Sequence, residues 1–109
     1  MFDFMMATAP EICAELGRRL RARRLMQGWS QVELAERAGL SAGTVKNLES
    51  KGQASLMSFI QIVAALGLTD DLGELFRLKI VSIAAMEKAE RANRKRAPRR
   101  VFPTTRSYT

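Results

Sequence analysis

Apolar positions from about residue 9 to residue 78 recur three or four apart, and polar caps and glycines cut them into short helical segments. Thr8 and Glu11 make a capping box for a first helix that runs to about Gln27, with Pro10 tolerated in its first turn and Gly28 as its stop. Cys13, Leu16 and Leu20 share one face of it, so Cys13 is expected as a small core residue. Ser30 and Glu33 repeat the box for a second helix, Gln31–Ala38, with Leu34, Ala35 and Ala38 on its inner face. Gly39 ends it, Leu40 fills the turn, and Ser41 opens a third helix over about 42–50, with Val45 and Leu48 inward. Lys51 and Gly52 turn the chain again. Ser55 then caps a fourth helix carrying Leu56, Phe59, Ile62, Val63 and Leu66, which Gly67 stops. Thr69 is expected to cap a fifth helix, with Asp70 and Asp71 at the positive end of its dipole and Leu72, Leu75 and Phe76 closing the core. An apolar stretch over 78–86 leads into a further helix, capped by Ser82 and reaching about Arg96. Pro98 and Pro103 break regular structure, and residues 97–109 have the Pro, Arg and Ser/Thr content of a disordered segment.

The pattern therefore predicts an all-α protein: a five-helix domain over 8–78, a helical extension over 79–97 and a basic disordered tail over 98–109. Within the domain, the second and third helices are short and joined by a tight turn. They must cross steeply, as in a helix-turn-helix. Leu-Ala in the second helix, Gly then Leu-Ser in the turn, and Val-x-x-Leu-Glu in the third resemble the phage-repressor-like (Cro/CI, or XRE) helix-turn-helix family. The resemblance extends from about Leu16 to Phe76. The plain alternative for the same periodicity is a helical bundle with no nucleic-acid role.

Charge adds to this picture. The 109 residues carry a net +7, unevenly placed: residues 1–86 hold ten Lys/Arg against nine Asp/Glu, and residues 87–109 hold eight against two. A cationic tail beside a helix-turn-helix adds phosphate contacts in the simplest reading. With no histidine and one cysteine, the chain offers no internal disulfide, no Cys/His metal cluster and no ordinary general base. An enzyme is not expected, and no cofactor motif is present. No segment is apolar for long enough to span a membrane, and the apolar start MFDFMMATAP has no basic leader, so a cytoplasmic, nucleoid-associated protein is expected. That apolar arm either packs loosely on the domain or makes a dimer contact.

What the resemblance implies about the site can be placed residue by residue. Gln31 is the contact from the second helix. Ala42, Gly43 and Asn47 take the base-facing positions of the third, with Thr44 and Lys46 beside them. Ser30, Lys51, Gln53 and the amides opening the fourth helix face phosphates, and Arg24 and Glu49 match an ion pair between the first and third helices. Asn47 and Gln31 have the donor and acceptor that an adenine edge needs, Gln31 alternatively bridges to phosphate, and Lys46 donates to guanine or to phosphate, whereas Ala42 offers a methyl to thymine and Gly43 no side chain. That departure from polar readers leaves fewer direct contacts and more weight on DNA shape. Each position has a plain reading too: Gln31 as an exposed helix start, Asn47 as a solvated amide, Lys46 and Lys51 as solubilising charges, and Arg18, Arg19 and Arg21 as a solvated face.

Repressors of this kind bind operator duplexes as homodimers, and 78–86 with the fifth helix is the candidate dimer surface; a helix folded back on its own domain is the alternative. The segment SIAAMEKAERANRKRAPRR resembles the C-terminal region of HipB-like antitoxins, which accompany HipA-type kinase toxins and repress their shared operon. The function expected is thus a DNA-binding repressor that also serves as an antitoxin. A stand-alone regulator is the alternative, and RNA binding is a third reading with few stacking aromatics behind it.

Overall fold

The structure, a computed structural model, describes residues 1–78 and 83–96. Among the described residues five α-helices run in the order α1 (Ala9–Gln27), α2 (Gln31–Ala38), α3 (Ala42–Lys51), α4 (Leu56–Ala65) and α5 (Ile83–Arg96), with a 3-10 segment at Thr69–Glu74 between the last two. The chain divides into two units, 1–75 and 76–109.

Capping chemistry sets the helix boundaries of the first unit. At α1 the Thr8 hydroxyl accepts from the Glu11 amide, and the Glu11 carboxylate accepts from the Thr8 amide. Ser30 and Glu33 do the same at α2. Ser41 and Ser55 hydroxyls accept from Thr44 and Ser58 amides at α3 and α4. A cap of this kind stabilises its helix by about 1 kcal/mol. Gly28, Gly39 and Gly52 each end a helix with φ near 70° (77°, 72° and 67°), the left-handed turn that lets the next helix change direction within three or four residues.

The core is small. Leu20, Leu34, Ala35, Ala38, Val45, Leu48, Ile62, Val63 and Leu66 are buried, with Trp29, Leu40, Phe59 and Leu72 packed around them. Each large member contributes about 1.5–3 kcal/mol by leaving water. α3 sits between α1 and α2, and α2 also packs on α4. α4 reaches over to finish α2: Gln61 Nε2 donates to the Ala38 carbonyl at 3.2 Å.

Two glycines let α1 and α3 approach closely. A Cβ at Gly17 would collide with the Leu48 carbonyl, and one at Gly52 would collide with the backbone of Cys13 and Ala14. This contact also corrects the expectation for Cys13. The Gly52 turn covers the backbone there, and the Cys13 side chain faces solvent. The inward stripe of α1 is Gly17, Leu20 and Arg24 instead.

The end of the domain differs from the sequence reading as well. Thr69 does not cap an α-helix. The 3-10 segment begins after Leu68 with no side-chain cap, and six residues with Gly73 among them are too short and too flexible to propagate α-helix. Leu72 packs on the core, but Leu75 and Phe76 are exposed, and so is Leu56 at the first turn of α4. In α5, Glu87 and Glu90 stand four residues before Arg91 and Arg94, the favourable order for ion pairs along a helix. The Ser82 cap and the tail over 98–109 lie outside the described residues.

Gly17→Ala separates propensity from packing. In an exposed helix the change would stabilise by about 0.5–1 kcal/mol. Here the added methyl meets the Leu48 carbonyl, and overpacking should destabilise by about 1–3 kcal/mol, read as a lowered urea midpoint.

Candidate nucleic-acid interface

Recognition by a helix requires one face anchored and the opposite face free. α3 divides in this way: Val45, Leu48 and Glu49 are buried, while Gly43, Lys46, Asn47 and Ser50 are exposed. Among the described residues the Asn47 and Lys46 side chains make no hydrogen bond or ion pair, so their polar heads are available to a ligand. A Cβ at Gly43 would find only the Ser41 hydroxyl, at 3.9 Å, so nothing in the fold requires glycine at that point of the helix. Ala42 is half-buried with its methyl against the core, and Thr44 shares a 2.9 Å hydroxyl contact with Ser41, so both lean toward the domain more than their neighbours do. Ser30 is occupied as a cap acceptor but keeps its hydroxyl proton to donate. Lys51 and Gln53 are exposed where α3 gives way to α4.

The anchor is electrostatic. Arg24 Nε donates to Glu49 Oε2 at 2.7 Å and Nη2 donates to Oε1 at 2.9 Å, a two-pronged pair with both side chains buried. The third arm, Nη1, donates to the Trp29 carbonyl at 2.7 Å. One guanidinium thus joins α1, the α1–α2 turn and α3. Hydrogen bonding to Glu49 raises the Arg24 pKa above its ordinary value, so the guanidinium stays charged throughout. Gln31 completes the set: its Nε2 donates to Glu49 Oε1 at 3.1 Å. Outside it, the Arg37 guanidinium stacks over Trp29 at 4.2 Å and shields the turn.

Elsewhere on α1, Arg18 and then Arg19 hydrogen-bond Glu15 and hold its carboxyl below the ordinary range. Those two arginines are therefore engaged within their own helix, and Arg19 also covers the Phe4 ring at 5.0 Å. Among the described residues no Asp/Glu/Cys group could hold a metal ion, and no helix is long and apolar enough to cross a membrane.

Residues 20–73 match the family model described as helix-turn-helix. The chain carries a helix-turn-helix domain of the Cro/CI, XRE type. It is a sequence-specific DNA-binding regulator on that family ground. No curated protein matches the chain. In this helix-turn-helix the matched span covers the buried pair, α2, α3 and α4, and stops within the 3-10 segment.

Sequence reasoning did not find the bond between Gln31 and Glu49, the Trp29 carbonyl as the third partner of Arg24, or the glycine contacts. A glycine in the middle of a 19-residue helix was the available signal for the last, because helices rarely keep one without a packing reason. The other two depend on side-chain rotamers that spacing does not encode.

Glu49→Ala should leave the Arg24 charge buried and unpaired. We expect a loss of about 3–5 kcal/mol in chemical denaturation, the cost of breaking a buried pair from one side. An exposed ion pair would lose about 1 kcal/mol or less.

Proposed function

We propose that this chain is a transcriptional repressor that binds its operator as a homodimer and also acts as the antitoxin and autorepressor of an operon encoding a HipA-like kinase toxin. The observation that carries the DNA-reading part is the exposed polar edge of α3 over a buried, charge-anchored inner face. In this reading Asn47 pairs with a base edge, and Gly43 lets the start of α3 come close to the groove. Lys46 and Thr44 flank them, Ala42 offers a methyl at the edge of the contact, Ser30, Lys51 and Gln53 meet phosphates, and Gln31 reaches from α2. A single domain of this size makes few contacts, so two copies on half-sites about 34 Å apart supply the rest.

The antitoxin part rests on the likeness of residues 82–100 to HipB-like tails, and on the concentration of positive charge beyond residue 86. Affinity purification of the tagged chain from its host tests it. Recovery of a kinase-like partner together with the chain's own promoter supports the autoregulating antitoxin. Recovery of promoters alone leaves a stand-alone repressor.

Asn47→Ala should weaken binding to the selected operator by about 1–3 kcal/mol in a titration and relax base preference at one position. Removing residues 97–109, which include Arg99, Arg100 and Arg106, should act differently. If those arginines meet phosphates, affinity falls on all duplexes and the slope of log K against log salt flattens by up to roughly 3.

A further inference from the structure

We propose that Arg21 extends the DNA interface from α3 onto α1, where it grips a backbone phosphate beside the major groove. The proposal rests on the DNA-binding reading above and adds to it a contact from a third helix.

The cations of the first unit fall into two groups. Arg18 and Arg19 are held by Glu15, Arg24 is held by Glu49, and Arg37 lies over Trp29. Among the described residues the side chains of Arg21, Arg23, Lys46 and Lys51 make no hydrogen bond, ion pair or ring contact, and all four are exposed. Arg21 has no acid to meet on its own helix: the residues three and four positions away are Gly17, Arg18, Arg24 and Leu25. Across the seam, both oxygens of Glu49 are taken by Arg24, and that carboxylate is buried.

Helix geometry says where this free charge points. An α-helix turns by about 100° per residue. Gly17 and Arg24, which meet α3, therefore lie about 20° apart around α1. Leu20 is turned about 50° from them toward the core, and Arg21 about 50° the other way. Arg21 thus emerges beside α3 on the side away from the core.

The two helices run antiparallel. Gly52 meets Cys13 and Ala14, while the Leu48 and Glu49 carbonyls meet Gly17. One turn beyond Gly17 on α1 is then level with one turn before Leu48 on α3, and that turn carries Lys46. Lys46 stands about 60° from Glu49 around α3, on the side opposite Leu48, so it leaves the seam on the same side as Arg21. Two unpartnered cations from different helices border one seam, next to the exposed edge of α3 that carries Asn47. With that edge in the major groove, the flank of α3 toward α1 faces a phosphate strand. A guanidinium fork matches the oxygens of a phosphate. Arg23 sits about 200° around α1 from Arg21 and points elsewhere.

That difference supplies the control. Binding of the full chain is measured by anisotropy over a series of salt concentrations, on the duplex it selects from a random-sequence library and on an unrelated duplex of the same length. Arg21→Gln and Arg23→Gln remove the same charge from nearby exposed positions, and neither should shift the melting temperature. Arg21→Gln should flatten the slope of log K against log salt by about 0.9 for each copy of the chain bound. It should weaken both duplexes alike, by roughly five- to tenfold per copy at about 0.1 M salt. Preferences among single base-pair variants of the selected duplex should not move. Arg23→Gln should keep the wild-type slope, and Arg21→Lys should restore most of it.

A wild-type slope in Arg21→Gln overturns the contact. Equal flattening in Arg23→Gln also overturns it, by showing an effect of net charge alone. A loss confined to one base pair overturns the assignment to phosphate. Wild type that binds neither duplex refutes the DNA reading and the contact with it, whereas wild type that binds while Arg21→Gln matches it refutes the contact alone.

Discussion

A guanidinium and a carboxylate held together away from water constrain everything else in this domain. Arg24 and Glu49 are separated by 25 residues, and their two-pronged contact fixes the angle and the register of α3 against α1. Apolar packing alone would tolerate a slide of α3, since Val45 and Leu48 could find other apolar neighbours. A pair of matched forks cannot slide without leaving charge unsatisfied. The third guanidinium arm on the Trp29 carbonyl extends the same constraint to the turn that launches α2. The helix-turn-helix is therefore positioned from behind by one side chain of α1.

Close backbone approach is the second half of that constraint. The forks meet at 2.7–2.9 Å because Gly17 and Gly52 remove the side chains that would separate the helices. The cost is the helix propensity lost at Gly17. Glycine, a poor helix former, is tolerated there because the space it leaves is filled by carbonyl groups of α3.

Most of the first unit was legible in its sequence, and the reasons are local. Thr8 with Glu11 and Ser30 with Glu33 are caps within a single turn, and three left-handed glycines mark where helices end. Residues 69–76 were harder. Asp70 and Asp71 look like the start of a helix, but the segment has too few apolar contacts to stabilise an α-helix and settles into a 3-10 turn. Cys13 misled because helical periodicity says which residues share a face but not how far along the helix its partner extends. At the interface, the family pattern carried Arg24 and Glu49 to their positions. The hydrogen bond that joins Gln31 to them arises only when three elements meet, and no spacing in one element announces it.

The division of α3 into a buried edge and an exposed edge bears on how such a protein changes over generations. Positions 43, 46, 47 and 50 face away from the core, so exchanges there leave the packing of Val45 and Leu48 intact. Under the proposed mode of DNA reading, single exchanges there change what is recognised at little cost in stability, and a gene copy can diverge in its target while its architecture stays constant. Gln31 lies outside this freedom. Because it shares an acceptor with the ion pair, its replacement perturbs the anchor, and drift at that residue should be slower than on the open edge of α3.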